Sequence, residues 1–205
     1  MISKYKKVNI KTILLGTIIV VILGGLGVAL NTSKSQAKTQ INIANEFVKN
    51  FYEVDALKIA DYEKMLKASA NLTPGNKTAE DNYLKAVSSF DKNIQPLMTV
   101  TGYNSIIGNR YNTPTTLVCV KGNYTVQVTD IILEKNLYSE KEDKAGYHYE
   151  AKLKFTSTNG KDDRSDTAKG YIGLLKENSQ WKVSIYKSEA DPKLYKEIMM
   201  KTMKE

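Results

Sequence analysis

The sequence predicts an α+β domain held behind a single membrane-spanning helix. Three observations carry that reading. An uncharged apolar run, Ile13–Leu30, follows a short basic tail. From Ile41 to Ile94 apolar residues recur at helical spacing. From Thr115 onward the spacing changes to the alternation of strands. Helices first and strands afterwards is the order of a domain whose helices cover one face of an antiparallel sheet.

Residues 1–12 form the basic tail, with Lys4, Lys6, Lys7 and Lys11 and no acidic residue. Twelve of the 18 positions in Ile13–Leu30 are Ile, Leu or Val. At helical rise that run spans roughly 27 Å, close to one hydrocarbon core. The lysine bias predicts a cytoplasmic N-terminus and an extracytoplasmic remainder. Gly25 and Ala29 have the small-xxx-small spacing that can pair such helices. A cleaved signal peptide is the competing reading, with "GVA" before Leu30 or "SQA" before Lys38 as the cleavage site. Either way the domain lies outside the cytoplasm, anchored in the first case and secreted in the second.

Residues 31–40 are small and polar and read as a stalk. The domain proper is expected over 41–190. Its first helix would bury Ile41, Ala44, Phe47, Val48 and Phe51. Asp55 is placed to cap a second helix with Ile59, Tyr62 and Leu66 inward. "NLTPGNKT" is a loop. A third helix is expected from Ala79 to Ile94, ended by Pro96 and showing Tyr83, Val87, Phe90 and Ile94 on one face. Thr115 to Asn136 reads as one long strand with a bulge at Gly122. In "GYHYEAKLKFTST", Tyr147, Tyr149, Ala151, Leu153 and Phe155 face one way and His148, Glu150, Lys152 and Lys154 the other. A hairpin turns between Glu177 and Gln180, with Tyr171, Gly173 and Leu175 on its first strand and Trp181, Val183 and Ile185 on its second. Residues 191–205 form a final helix, with Asp191 as N-cap, Pro192 at the first position, and a Leu194, Tyr195, Ile198, Met199, Met203 stripe suited to covering the sheet.

Composition narrows the function classes. Of the formal charge of +8, four units sit in the N-terminal lysines, and the rest of the chain interleaves lysine with Glu and Asp. That is a solvated surface, without the clustered basic stripe of a nucleic-acid binder. Cys119 is the only cysteine, so no intrachain disulfide forms, and no cysteine follows the apolar run to receive a lipid. With one histidine and one cysteine, a zinc cluster is excluded. No glycine pattern matches a phosphate loop. An exported domain without disulfides is ordinary in Gram-positive bacteria, and the Lys-, Asn- and Ile-rich usage resembles that of a low-GC genome.

"ANEFVKNFYEVDALKIADYEKML" and "GYIGLLKENSQWKVSIYKS" resemble elements of the nuclear transport factor 2-like superfamily, a cone-shaped α+β fold. The likeness covers roughly Ala37 to Ser188; the helix after Asp191 lies beyond the usual ending. The layout of basic tail, single span and one external domain is similar to the bitopic scaffold component of type IV secretion and conjugation machines. That resemblance implies a non-enzymatic assembly module whose partners are the membrane, other envelope proteins or a second copy of itself, with no cofactor. The alternative is an extracytoplasmic small-ligand binder or enzyme that uses the cone as a pocket.

Enzymes of the superfamily move protons with an Asp or a His–Asp pair inside the cone, which requires a desolvated group. His148 falls on the charged face of its strand and reads as a surface residue. Asp55 reads as a cap and Asp61 as a solvated helix position. Asp162, Asp163 and Asp166 form a charged loop without EF-hand spacing, and no metal site is expected there. Cys119 reads as a buried, inert thiol. Thirteen tyrosines are many for this length. Tyrosine combines apolar area with a polar tip, which suits a cone lining, an interface or plain sheet filler. Tyr147, Tyr149, Tyr171 and Trp181 are therefore the candidate pocket or interface residues, and no catalytic residue is assigned.

Overall fold

In the computed structural model, residues 37–136, 143–160 and 162–202 are described. The chain divides into two units, Met1–Thr39 and Gln40–Glu205. Of the first, residues 37–39 are described and are helical. The basic tail, the Ile13–Leu30 run and most of the stalk lie outside the described residues. Among the described residues, no helix is long and apolar enough to cross a membrane.

The second unit opens with helical residues 40–52 (α1) and continues with α2 (Ala56–Ala70) and α3 (Lys77–Phe90). A single 3-10 turn leads to α4 (Val100–Gly108) and α5 (Pro114–Gly122). Four strands follow: β1 (Tyr124–Lys135), β2 (Lys144–Ser157), β3 (Arg164–Glu177) and β4 (Gln180–Ala190). The last element is α6 (Lys193–Thr202). The strands form one antiparallel meander in the order β1-β2-β3-β4, with helices packed on one face.

Asp55 caps α2 as its sequence position predicts, its carboxylate accepting the Lys58 amide at 2.7 Å. In α1 the buried face comprises Ala44, Phe47, Val48, Phe51 and Tyr52, while Ile41 is 41% exposed. Helix α2 is turned slightly from the expected phase: Tyr62 and Met65 are buried and Leu66 is not. Helix α3 ends at Phe90, ahead of the expected Ile94, because Asp91 accepts two backbone N–H groups, those of Ile94 and Gln95, and starts a tighter turn. The β2 alternation holds as read, with Tyr147, Tyr149, Ala151, Leu153 and Phe155 all buried.

The strand expected from Thr115 begins instead at Tyr124, and the residues before it are the helix α5. Pro114 opens that helix at a position where its missing N–H costs nothing, and Asn123, in the left-handed region, closes it. Thr115, Thr116, Val118, Cys119 and Gly122 of α5 are buried, so its sequence is apolar on most sides and mimics a buried strand. Helix α4, unassigned from sequence, packs Gly102 against β4. A Cβ there would sit 2.9 Å from the Val183 and Ser184 carbonyls.

Connectors seal parts of both sheet edges. Val54 exchanges two backbone hydrogen bonds with Val126 on β1, and the Thr99 amide donates to the Val183 carbonyl on β4. Closing edges in this way removes sites for unwanted strand addition. A register shift between Gly173 and Leu174 re-phases β4: Val183 faces the core and Ile185 is 45% exposed. On β3 the buried positions are Ala168, Gly170, Ile172, Gly173 and Leu174, while Tyr171 and Leu175, expected to share a face with Gly173, are only half-buried. Helix α6 lays Leu194 and Tyr195 into the core, with Ile198 and Met199 packed beside them. The carboxylate at its N-terminus is Asp166 of β3, which accepts the Leu194 amide at 3.0 Å, in place of the expected Asp191.

Candidate functional site

The helix-covered face of the sheet is filled by aromatic side chains. Tyr147, Tyr149 and Trp181 are buried at 3%, 3% and 5% exposure. Tyr52 reaches in from α1, its hydroxyl 2.8 Å from that of Tyr149 and 3.0 Å from that of Tyr186. The Tyr149 and Tyr186 rings stack at 6.5 Å, and Phe51 lies 4.4 Å from Tyr186. Gly170 leaves room for this arrangement, since a Cβ would come 2.5 Å from the Tyr149 hydroxyl. The Tyr147 hydroxyl donates to Gln40 at 3.0 Å. Burial raises the Tyr52 and Tyr149 phenols well above their ordinary range, reinforced by neighbouring tyrosines. Three phenols that stay protonated and partner one another are a satisfied polar core.

Tyr171, the fourth candidate, lies on the other face of the sheet. Its ring contacts His148 at 5.3 Å. His148 is 45% exposed and its Nδ1 lies 3.1 Å from Glu189, so it belongs to the hydrated face, as its strand position predicts. The interior set is therefore Tyr52, Tyr147, Tyr149, Tyr186 and Trp181. Tyr52 lies four residues after Val48 on the buried face of α1, but the face read from sequence stopped at Phe51. Tyr186 joins because the β4 bulge rotates it inward.

A cavity of about 500 Å³ opens between the C-terminal end of α1, the start of α2, the end of α3 and the first residues of β1. Its walls hold the ionisable groups that sequence reading missed. The Lys58 ammonium donates to the carbonyls of Asn50 at 2.8 Å, Phe51 at 3.2 Å and Glu53 at 2.9 Å. It therefore caps the C-terminal end of α1, where orphan carbonyls and the helix dipole favour a cation. Burial lowers its pKa to about 8, against the opposing charge of Asp91. A lysine in that range is suited to nucleophilic chemistry, but all three N–H donors are committed to backbone.

Asp91 is 2% exposed. Asn112 Nδ2 lies 2.9 Å from both of its oxygens, and the Tyr103 hydroxyl donates at 3.2 Å. Burial raises its carboxyl, and the bonds from Asn112 and Tyr103 offset part of that rise. Asp61, expected in solvent, is 7% exposed instead. It sits between Lys92 at 3.1 Å and Lys64 at 3.4 Å. Burial alone would raise it; hydrogen bonds and charge from Lys92 and Lys64 outweigh that and hold it below the usual carboxylate range. These groups tie helices together, and each carboxylate already has its partners.

The loop carboxylates are likewise separated by task. Asp163 accepts the Ser157 amide at 3.1 Å and pairs with Lys154 at 3.3 Å, while Asp166 caps α6. Among the described residues no three His, Cys, Asp or Glu side chains are grouped to hold a metal. Cys119 is buried in α5, and burial pushes its thiol up to about 12.

No protein-family model matches the chain, and no curated protein matches it. Among solved structures, the chain is similar to an IcmL-like type IV secretion system protein from Legionella pneumophila. The identity is 14%, the match covers 77% of this chain and 92% of that one, and the TM-score is 0.44. It is also similar to a nuclear transport factor 2-like superfamily protein from Salmonella enterica. There the identity is again 14%, the coverage 62% and 94%, and the TM-score 0.33.

Proposed function

We propose that this chain is a membrane-anchored, extracytoplasmic, non-enzymatic binding and assembly module, in its most concrete form a scaffold subunit of a Gram-positive conjugation or type IV secretion-like machine. One observation carries the non-enzymatic part. The helix-covered interior of the sheet, where the resemblance would put a proton-transfer group, holds Tyr52, Tyr149 and Tyr186, with the Tyr52 hydroxyl bonded to the other two. A general base needs a free, desolvated group with access to substrate. His148 is on the hydrated face, and Lys58 and Asp91 hold the helices together. The anchored part rests on the Ile13–Leu30 run and the lysines before it. The conjugation version rests on the layout of tail, span and single external domain.

Deleting the gene in a host that carries a conjugative element checks the proposal. Element transfer should be lost with growth unchanged, and restored by the full chain but not by one lacking residues 1–30. Transfer that survives deletion contradicts the conjugation version; rescue by the unanchored chain contradicts the anchor. A second reading, a small-ligand binder, draws on the 500 Å³ cavity beside Asp91 and Lys58. It requires a bound small molecule to accompany the chain when it is purified from its native membrane.

A further inference from the structure

The turn that leaves β2 brings together the parts of a spontaneous covalent reaction. Asn159 is the only asparagine in the chain followed by glycine. Both residues are exposed, and Gly160 has φ +79° with nothing within 4 Å of where a Cβ would stand. A side chain at that position would crowd its own backbone nitrogen; glycine leaves the nitrogen open to approach. The Gly160 amide donates to no acceptor among the described residues. The Ser157 hydroxyl donates to Asn159 Oδ1 at 3.1 Å and accepts the Asn159 amide at 3.4 Å. Ser157 is itself held, its amide donating to Asp163 at 3.1 Å, and Asp163 pairs with Lys154 at 3.3 Å. Asn71 and Asn109 are exposed too, but Leu72 and Arg110 follow them, whose amides donate to the Ser69 and Ile107 carbonyls. Their side-chain nitrogens are also tied, to the Lys67 and Ser105 carbonyls.

We propose that Asn159–Gly160 is a self-modification site, where the folded chain converts Asn159 to aspartate and isoaspartate through a cyclic imide. The Gly160 amide gives its proton to hydroxide, and its nitrogen lone pair attacks Asn159 Cγ. The Cγ–Nδ2 bond then breaks, and Nδ2 takes a proton from water and leaves as ammonia. The Ser157 hydroxyl draws electron density from the Cγ carbonyl and stabilises the oxyanion that forms on Oδ1 during attack. One water molecule opens the imide at either carbonyl, giving aspartate by one route and isoaspartate by the other. The net change is amide plus water to carboxylate plus ammonia, with nothing oxidised or reduced. Each event places a new carboxylate beside Asp163, and the isoaspartyl product also lengthens the main chain in the turn. The β2–β3 pairing ends at Phe155 opposite Arg164, outside the altered residues, so the sheet survives the change. None of this depends on the assembly reading.

The test incubates the full chain in detergent in a mildly alkaline buffer made with heavy-oxygen water, then reads the label at each asparagine by mass spectrometry after proteolysis in ordinary water. Label should enter at Asn159 at least about tenfold faster than at Asn71 or Asn109, and should divide between aspartyl and isoaspartyl peptides. Asn159→Gln should remove that signal, because the longer side chain cannot close the same five-membered ring. Ser157→Ala should slow labelling at Asn159 by about fivefold in the folded chain, the worth of one hydrogen bond. In urea, where nothing holds the hydroxyl against the side chain, the same substitution should have no effect. Labelling at Asn159 no faster than at the two control asparagines overturns the proposal, and so does labelled aspartate without isoaspartate. An unchanged folded-state rate in Ser157→Ala overturns the role given to Ser157.

Discussion

Lys58 shows how a charge at a helix end can hold structure together and still oppose folding. Its three bonds to carbonyls stabilise the end of α1, yet burial brings its pKa from 10.5 down to about 8. The unfolded chain keeps that proton over a pH range where the folded chain has released it. Stability from this group is therefore complete above about 10.5 and falls as pH drops through about 8. Relative to Lys58→Met, the wild type should gain about 1 kcal/mol between about pH 7 and pH 9, read from denaturant unfolding. The tyrosine core acts in the opposite sense. The Tyr52, Tyr149 and Tyr186 phenols are raised above 10.0, so the stability they confer is complete below that value and lost as pH climbs beyond it. Tyr52→Phe should cost about 1 kcal/mol at neutral pH by removing the central hydroxyl.

At the scale of elements, legibility followed the clarity of the period. β2 alternates without interruption, and every side chain assigned inward is inward. Helix α5 was unreadable because a helix buried on most sides loses the amphipathic signal, and its threonines and valines favour the strand assignment. Asp55 was legible as a cap because its partner amide is local. Asp166 was not, because its partner, the Leu194 amide, arrives from 28 residues away. Asp166→Ala should therefore loosen α6 specifically. Hydrogen exchange should show reduced protection over Lys193–Thr202, with a global cost of about 1 kcal/mol. Asp191→Ala should leave that protection nearly unchanged.

Across the whole chain, the sequence revealed a helix-then-sheet architecture and a face of buried aromatics. It could not reveal the groups gathered by tertiary contact. Lys58, Asp91 and Asn112 lie far apart in sequence and meet only when α1, α2, α3 and the turn before α5 pack together.

The proposed function stands on the domain lying outside the cytoplasm, and cysteine labelling tests that most directly. Cys119 is buried with its thiol raised to about 12, so it stays silent toward thiol reagents in the folded protein. Leu84, 63% exposed on α3, is a site for one reporter cysteine. Leu84→Cys on intact cells should react with a membrane-impermeant maleimide as fully as on lysed cells. Reaction only after lysis would place the domain in the cytoplasm and contradict the account.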